Sequence, residues 1–221
     1  MADDRPPWNR TPDTGSGEYY RECAAALRTL KATRGVLMFV LFLALLAPLA
    51  AFVAVYQFDV LQLRPTQDVA FTPMPDAVSP RTAAVIERGL PIAAFVGRAS
   101  TVLLLACFVL AAQVSLAGRI PGVAGFASAA VWAGLALVLM GPWREWTNAP
   151  ALWSPFPGSS EIYQTTIEAP TTPADQVLAW VRFAGLPLIA LLTVWAGWLR
   201  FSAGDAAARR FCLGRAELRH A

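Results

Sequence analysis

The chain has 221 residues, of which 56% are hydrophobic and only 15% charged, and its formal net charge is +3. Soluble globular domains usually carry about 25% charged residues, so these numbers exclude a single water-soluble core, and they equally exclude a disordered chain. Long apolar runs account for the hydrophobic excess. They predict an all-α membrane protein with four transmembrane helices, both termini inside, and two long extracytoplasmic loops.

The chain starts with residues 1–16, which are polar and contain three prolines, and which predict a disordered cytoplasmic lead. Residues 17–34 then carry apolar side chains at three- and four-residue steps, the period of an amphipathic helix. This cytoplasmic helix either lies on the inner membrane surface or forms a stem continuous with the first span. The sequence leaves both arrangements open.

Four stretches are apolar enough to cross a bilayer, whose hydrocarbon core of about 30 Å needs about 20 helical residues. They define a four-span membrane domain over residues 35–201, followed by a basic cytoplasmic tail over residues 202–221. Only Arg119 and its neighbours separate the second span from the third, which predicts a tight antiparallel hairpin. The predicted spans are residues 35–58, 91–118, 120–143 and 177–200.

The two outer loops, residues 59–90 and 144–176, are longer than ordinary connections and could build an extracytoplasmic cap. Serine followed by Pro80, and threonine followed by Pro173, are typical helix starts. They predict helices that lead into the second and fourth spans, with a break in the first of them near Pro91. Residues 161–167 contain β-type side chains and predict a short strand.

Arginine and lysine accumulate on the cytoplasmic side of membrane proteins. If both termini are cytoplasmic, twelve basic residues lie inside and four lie outside, which predicts a multi-pass protein of the plasma (inner) membrane in this orientation. The inner residues are Arg5, Arg10, Arg21, Arg28, Lys31, Arg34, Arg119, Arg200, Arg209, Arg210, Arg215 and Arg219, and the outer ones are Arg64, Arg81, Arg88 and Arg144.

Several kinds of chemistry lack their residues in this sequence. His220 is the single histidine, and the three cysteines form no CxxC pair, so we expect neither a metal site nor a cofactor. The sequence contains no nucleotide-binding loop or catalytic signature, and the predicted spans contain no acidic residue. The basic residues are dispersed, so nucleic-acid binding is not expected. A non-catalytic role is favoured.

Two arginines come closest to lying inside the membrane. Apolar residues continue outward beyond both Arg98 and Arg182, unlike the surroundings of an ordinary flanking arginine. Either the two side chains snorkel to the lipid headgroups, or they turn inward, line an outward-facing cavity and pair with acids or an anionic group. The candidate polar cavity comprises Arg98, Arg182, Thr193, Glu87, Glu145 and Glu168.

The third span is rich in small residues, which allow close approach of helix backbones in membranes. This surface packs either against another membrane subunit or against the second span of the same chain. The candidate helix-packing residues are Gly122, Gly125, Ala130 and Gly134.

Together these features predict a structural or accessory subunit of a larger membrane complex. Its expected partners are the lipid bilayer and either other membrane subunits or further copies of the chain. The alternative is a small transporter or channel-like protein for an anionic or apolar solute, with helix kinks at Pro48 and Pro187 and an outward-facing cavity lined by arginine.

Overall fold

The computed structural model describes residues 15–57, 80–143, 154–167 and 172–217. All regular secondary structure in this part of the chain is helical, which confirms the predicted all-α class. Most of the predicted lead and of the first predicted outer loop lies outside the described residues, as do residues 144–153 and 168–171 of the second loop. The α-helices in chain order are α1 (Gly15–Phe52), α2 (Pro80–Ala117), α3 (Val123–Leu139), α4 (Ser159–Ile167), α5 (Pro173–Trp180) and α6 (Leu186–Glu217).

Helix α1 joins the amphipathic segment to the first apolar run without interruption. Its N-terminal half is not separate from the bundle, because Cys23 and Leu27 are buried in the same core as residues of its C-terminal half. The Cys107 thiol of α2 donates to the Leu30 carbonyl at 3.3 Å, which fastens the two helices in the C-terminal half of α2. A π-helical turn, Val53–Gln57, follows the outer end of α1.

Helix α2 runs through Pro91, so the predicted break there is wrong. A proline inside a membrane helix is tolerated when the surroundings satisfy the backbone, so Pro91 does not end α2. The turn after α2 is as tight as predicted: Arg119 adopts a positive φ of 49°, and the Ile120 amide donates to the Ser115 carbonyl at 2.8 Å. These are the features of a Schellman helix end.

Helix α3 is shorter than the 24 residues of the predicted third span. Pro121 and Gly122 delay its start, and Gly141 and Pro142 follow its end. Its 17 residues extend over about 25 Å.

The predicted strand over residues 161–167 is wrong, because this segment forms helix α4. The hydroxyls of Thr165 and Thr166 donate back to the carbonyls of Glu161 and Ile162, a helical pattern that β-type residues also permit. Ile162 is fully buried in the second hydrophobic cluster of the structure, which we call the outer core. Tertiary packing therefore outweighs the strand preference of these side chains.

The last continuous helical segment of the structure consists of α5, a π-helical turn (Val181–Gly185) and α6. Its predicted start is confirmed: the Thr172 hydroxyl accepts from the Asp175 amide at 3.2 Å and donates to the Asp175 carboxylate at 2.7 Å. This cap satisfies an amide that the helix itself leaves unpaired.

The helices form two close pairs, α1 with α2 and α3 with α6, joined through contacts between α2 and α3. At the centre, Phe201 of α6 packs against Phe108 of α2 and Phe126 of α3, with ring centroids 5.1 and 4.9 Å apart. Burying three phenylalanines where the pairs meet contributes to their association.

Three helical stretches are long and apolar enough to cross a membrane: Glu22–Tyr56, Ala83–Ala117 and Pro173–Phe211. The shorter α3 is also apolar. Large apolar side chains are exposed along all of these helices, for example Phe39, Phe95, Val131 and Leu192, as expected for surfaces in contact with lipid. The protein is an all-helical, multi-pass membrane protein.

Candidate functional site

An ion pair links helix α4 to the π-helical turn before α6. Arg182, in the π-helical turn before α6, places Nη2 2.8 Å from Oε2 of Glu161 in α4. Both side chains are about one-fifth exposed, so the pair is partly shielded from solvent. Sequence reasoning placed Arg182 in a polar cavity with Glu87, Glu145 and Glu168; among the described residues Arg182 pairs with Glu161, while Glu145 and Glu168 lie outside them.

An aromatic cluster lies beside this ion pair, with the Arg182 guanidinium 5.2 Å from the centre of the Phe183 ring. Phe52 stacks against Tyr56 and Phe183, with centroids 4.9 and 4.7 Å apart, and Trp180 meets Phe52 edge-on at 5.3 Å. Tyr56 and Phe183 lie in the two π-helical turns, and Phe52 and Trp180 are the last residues of the helices that precede them. The two turns therefore border the same apolar cluster, the outer core. A π-helical turn widens a helix locally and often marks a functional position.

Arg98 is bound at a different place, the outer end of α3. Its Nε donates to the carbonyl of Met140 at 3.1 Å, one of the carbonyls that α3 leaves without a helical partner. One turn further along α2, the Thr101 hydroxyl donates to the Gly97 carbonyl and lies 3.2 Å from the Met140 sulfur. Arg98 therefore ties α2 to the end of α3.

Of the remaining predicted cavity residues the structure describes two, Thr193 and Glu87, and it shows no contact between them. The Thr193 hydroxyl donates to the Ile189 carbonyl of its own helix at 2.7 Å. Glu87 is exposed on α2. Glu145 and Glu168 lie outside the described residues.

Tyr163 of α4 adds a buried polar atom to this outer region. Its hydroxyl oxygen has no hydrogen-bond partner among the described residues. Burial, and to a smaller extent the negative charge of Glu87, raises the pKa of Tyr163, so the neutral phenol is favoured.

The candidate helix-packing residues at the start of α3 and within it have different surroundings. Gly122 has φ +120°, and a Cβ on it would lie 2.5 Å from the Gly204 carbonyl oxygen of α6; a Cβ on Gly125 would lie 2.8 Å from the Gly204 backbone. Ala130 packs partly against the main core. At Gly134 a Cβ would meet nothing within 4 Å. The close glycine contacts are therefore with α6 of the same chain, whereas Gly134 faces open space.

A second polar cluster, between the N-terminal half of α1 and the C-terminal half of α6, was not among the predicted sites. Asp205 is bound by Lys31 and Arg209, each with a 3.2 Å nitrogen–oxygen distance. Nearby, Nη1 of Arg34 donates to Ser202 Oγ at 3.3 Å, and its guanidinium lies 4.6 Å from the centre of the Phe201 ring. We call Lys31, Arg34, Ser202, Asp205 and Arg209 the inner cluster.

Part of the inner cluster had a signal in the sequence. Asp205 is followed by Arg209 four residues later, a spacing that favours an ion pair on one helix face. The contact with α1 had none, because residues 31–34 and 202–205 are far apart in the chain and their proximity depends on how the helices pack.

In the part of the chain that the structure describes, no three histidine, cysteine or acidic side chains are grouped as a metal ion would require. Compared with protein-family models, with curated proteins and with solved structures, the chain matches none at a significant level. Its function therefore has to be inferred from its own residues.

Proposed function

We propose that this protein is a non-catalytic integral membrane protein that serves as a structural or accessory subunit of a larger membrane complex. The observation that carries this proposal is how Arg98 and Arg182 are used. Each binds a group of its own chain, a helix-end carbonyl in one case and Glu161 in the other. A solute-binding site would instead keep such charges available for the solute. Their bonds to the chain support a role in holding the bundle together.

The proposal includes four spans, with α3 as the third, and both termini in the cytoplasm of a cell whose plasma (inner) membrane holds the protein. The excess of basic residues in the inner segments supports this orientation. The length of α3 is compatible with a span, because a helix slightly shorter than the hydrocarbon core is accommodated by local thinning of the bilayer.

The outward side of α3 is the proposed contact with a neighbouring subunit. Val131 is 72% exposed and Gly134 borders open space, so small and medium-sized side chains are presented to the surroundings. Close backbone approach and van der Waals packing drive helix association in lipid. Gly122 and Gly125, in contrast, are already occupied by Gly204 within the chain.

Native mass spectrometry of the protein after gentle extraction tests this function. We expect a particle that contains further polypeptides or further copies of the chain. A homogeneous single chain, with no associated polypeptide under any mild extraction, would contradict the proposal.

A transporter or channel-like function is the second candidate, and the two facing π-helical turns favour it. They lie at the outer end of α1 and before α6, near the buried Pro48 and Pro187, where helix geometry is irregular on both sides of one aromatic cluster. This candidate predicts a single-chain species whose thermal stability rises with a specific anionic or apolar solute. A screen in which no such solute changes the unfolding temperature would count against it.

A further inference from the structure

The inner cluster contains a buried charge without a carboxylate of its own. Arg34 is 6% exposed, yet no acidic side chain of the described residues lies within ion-pair distance of it. Its Nε has no hydrogen-bond partner among those residues, while Nη1 has only the Ser202 hydroxyl. Burying a charge without an anion is costly, and stacking on Phe201 compensates only part of that cost. An anion near Arg34 would be stabilised.

Positive charge also predominates around it. Residues 28–34 and 198–210 contain six basic residues and one acid, a net charge of +5. The acid is paired directly with Lys31 and Arg209, and its charge acts on Arg34 only from beyond ion-pair distance. The basic residues are Arg28, Lys31, Arg34, Arg200, Arg209 and Arg210, and the acid is Asp205.

The cluster lies where the apolar runs of both helices end. Val36 and Phe39 follow Arg34 on α1, and Trp195 and Leu199 precede Arg200 on α6; all four side chains are at least half exposed. An anion held here has exposed apolar side chains toward one side and charged helix ends toward the other. That is the environment of a lipid phosphate with its acyl chains, whereas a free phosphate ion would gain nothing from the apolar side chains.

We infer that the inner cluster binds the phosphate group of an anionic phospholipid. The side chains of Lys31 and Arg209 are 40% and 53% exposed and can donate to phosphate oxygens. Arg34 lies deeper and supplies a buried positive charge that attracts the anion. The partly exposed indole of Trp198, 5.7 Å from the Arg34 guanidinium carbon, is of the type that collects at the membrane interface.

Lipid binding by the full-length protein in a neutral detergent tests this inference. Native mass spectrometry and thermal unfolding would be followed while phosphatidylglycerol, phosphatidylcholine or inorganic phosphate is added. We expect retained phosphatidylglycerol and a higher unfolding temperature with this lipid alone. The variant Lys31→Gln/Arg209→Gln should bind it about thirtyfold more weakly, since each basic residue near a lipid surface contributes about 1 kcal/mol.

Two further variants separate the site from general surface charge and from misfolding. Arg28→Gln/Arg210→Gln removes the same charge from exposed positions outside the inner cluster and should keep the wild-type affinity. Asp205→Asn removes the acid and should keep or strengthen phosphatidylglycerol binding. The inference is overturned if both double variants lose the lipid equally, if Asp205→Asn abolishes binding, or if phosphatidylcholine or inorganic phosphate stabilises the protein as well as phosphatidylglycerol does.

Discussion

Gly125 of α3 and Gly204 of α6 pack backbone against backbone: a Cβ on Gly125 would lie 2.8 Å from both the nitrogen and the Cα of Gly204. The Arg200 carbonyl oxygen would be only 3.0 Å away. Since the neighbouring atoms belong to a helix backbone, they cannot rotate aside as a side chain would. This contact sets how closely the inner ends of the two helices approach each other.

Replacing Gly125 by alanine should therefore destabilise the protein by about 1–3 kcal/mol, the usual cost of overpacking a filled site. Gly89→Ala in α2 is the control, because a Cβ there would meet nothing within 4 Å, and it should be neutral or stabilising by about 0.5–1 kcal/mol through helix propensity. Thermal unfolding in detergent measures both. Equal behaviour of the two variants would show that the glycine contact with α6 is not required.

The Arg182–Glu161 pair should contribute to stability by fastening α4 to the π-helical turn between α5 and α6. In a double-mutant cycle with Arg182→Leu and Glu161→Gln, we expect a coupling free energy of about 0.5–3 kcal/mol. Arg182→Lys should recover part of the loss, because it keeps the charge but not the planar geometry of the guanidinium. If the stability losses of the two single variants are additive, and if Arg182→Lys is no more stable than Arg182→Leu, then Arg182 snorkels to the headgroups instead.

Tyr163 should make the protein sensitive to alkaline pH. Because its folded-state pKa is raised above the usual value of about 10, the contribution of the neutral phenol is complete below that usual value. It is lost as the pH rises through the higher folded-state pKa. Unfolding temperatures measured across this range should fall less for Tyr163→Phe than for the wild type. Glu87→Gln, which removes the smaller cause of the shift, should have a weaker effect, and an identical alkaline loss in Tyr163→Phe would exclude this tyrosine.

The apolar runs were enough to predict the helical class and the position of the long helices, because length and hydropathy alone decide which segments fit a bilayer. The cap at Thr172 was predictable from another local signal, a threonine followed by Pro173 at the helix start. The strand expected over residues 161–167 failed because Ile162 is buried by contacts that come from other helices. Local propensity carries no information about such contacts.

The sites were less predictable than the fold. The sequence identified Arg98 and Arg182 as unusual, but not their partners Met140 and Glu161. Likewise, nothing in the third span distinguished Gly125, which contacts Gly204, from Gly134, which faces open space. Both distinctions depend on how each helix is rotated against its neighbours, and hydropathy constrains that rotation only weakly.

Membrane orientation can be tested with single cysteines introduced into a variant without native ones. Ala25 on α1 and Ala174 at the start of α5 are exposed, whereas native Cys23 is buried and would label slowly. In intact cells a membrane-impermeant maleimide should label Ala174→Cys at once and Ala25→Cys only after the membrane is opened. The reverse pattern would contradict the proposed orientation with both termini in the cytoplasm.

The central claim, that this chain is a subunit of a larger assembly through the outward side of α3, is tested most directly by the native mass of Gly134→Leu. The added side chain enters open space, so the fold of the chain should persist, while a neighbouring helix would be pushed away. Ala106→Leu, at an exposed position of α2, is the control. We predict that Gly134→Leu reduces the particle toward the 23.8 kDa single chain while Ala106→Leu keeps the wild-type mass. A Gly134→Leu particle with unchanged mass and composition would contradict the claim.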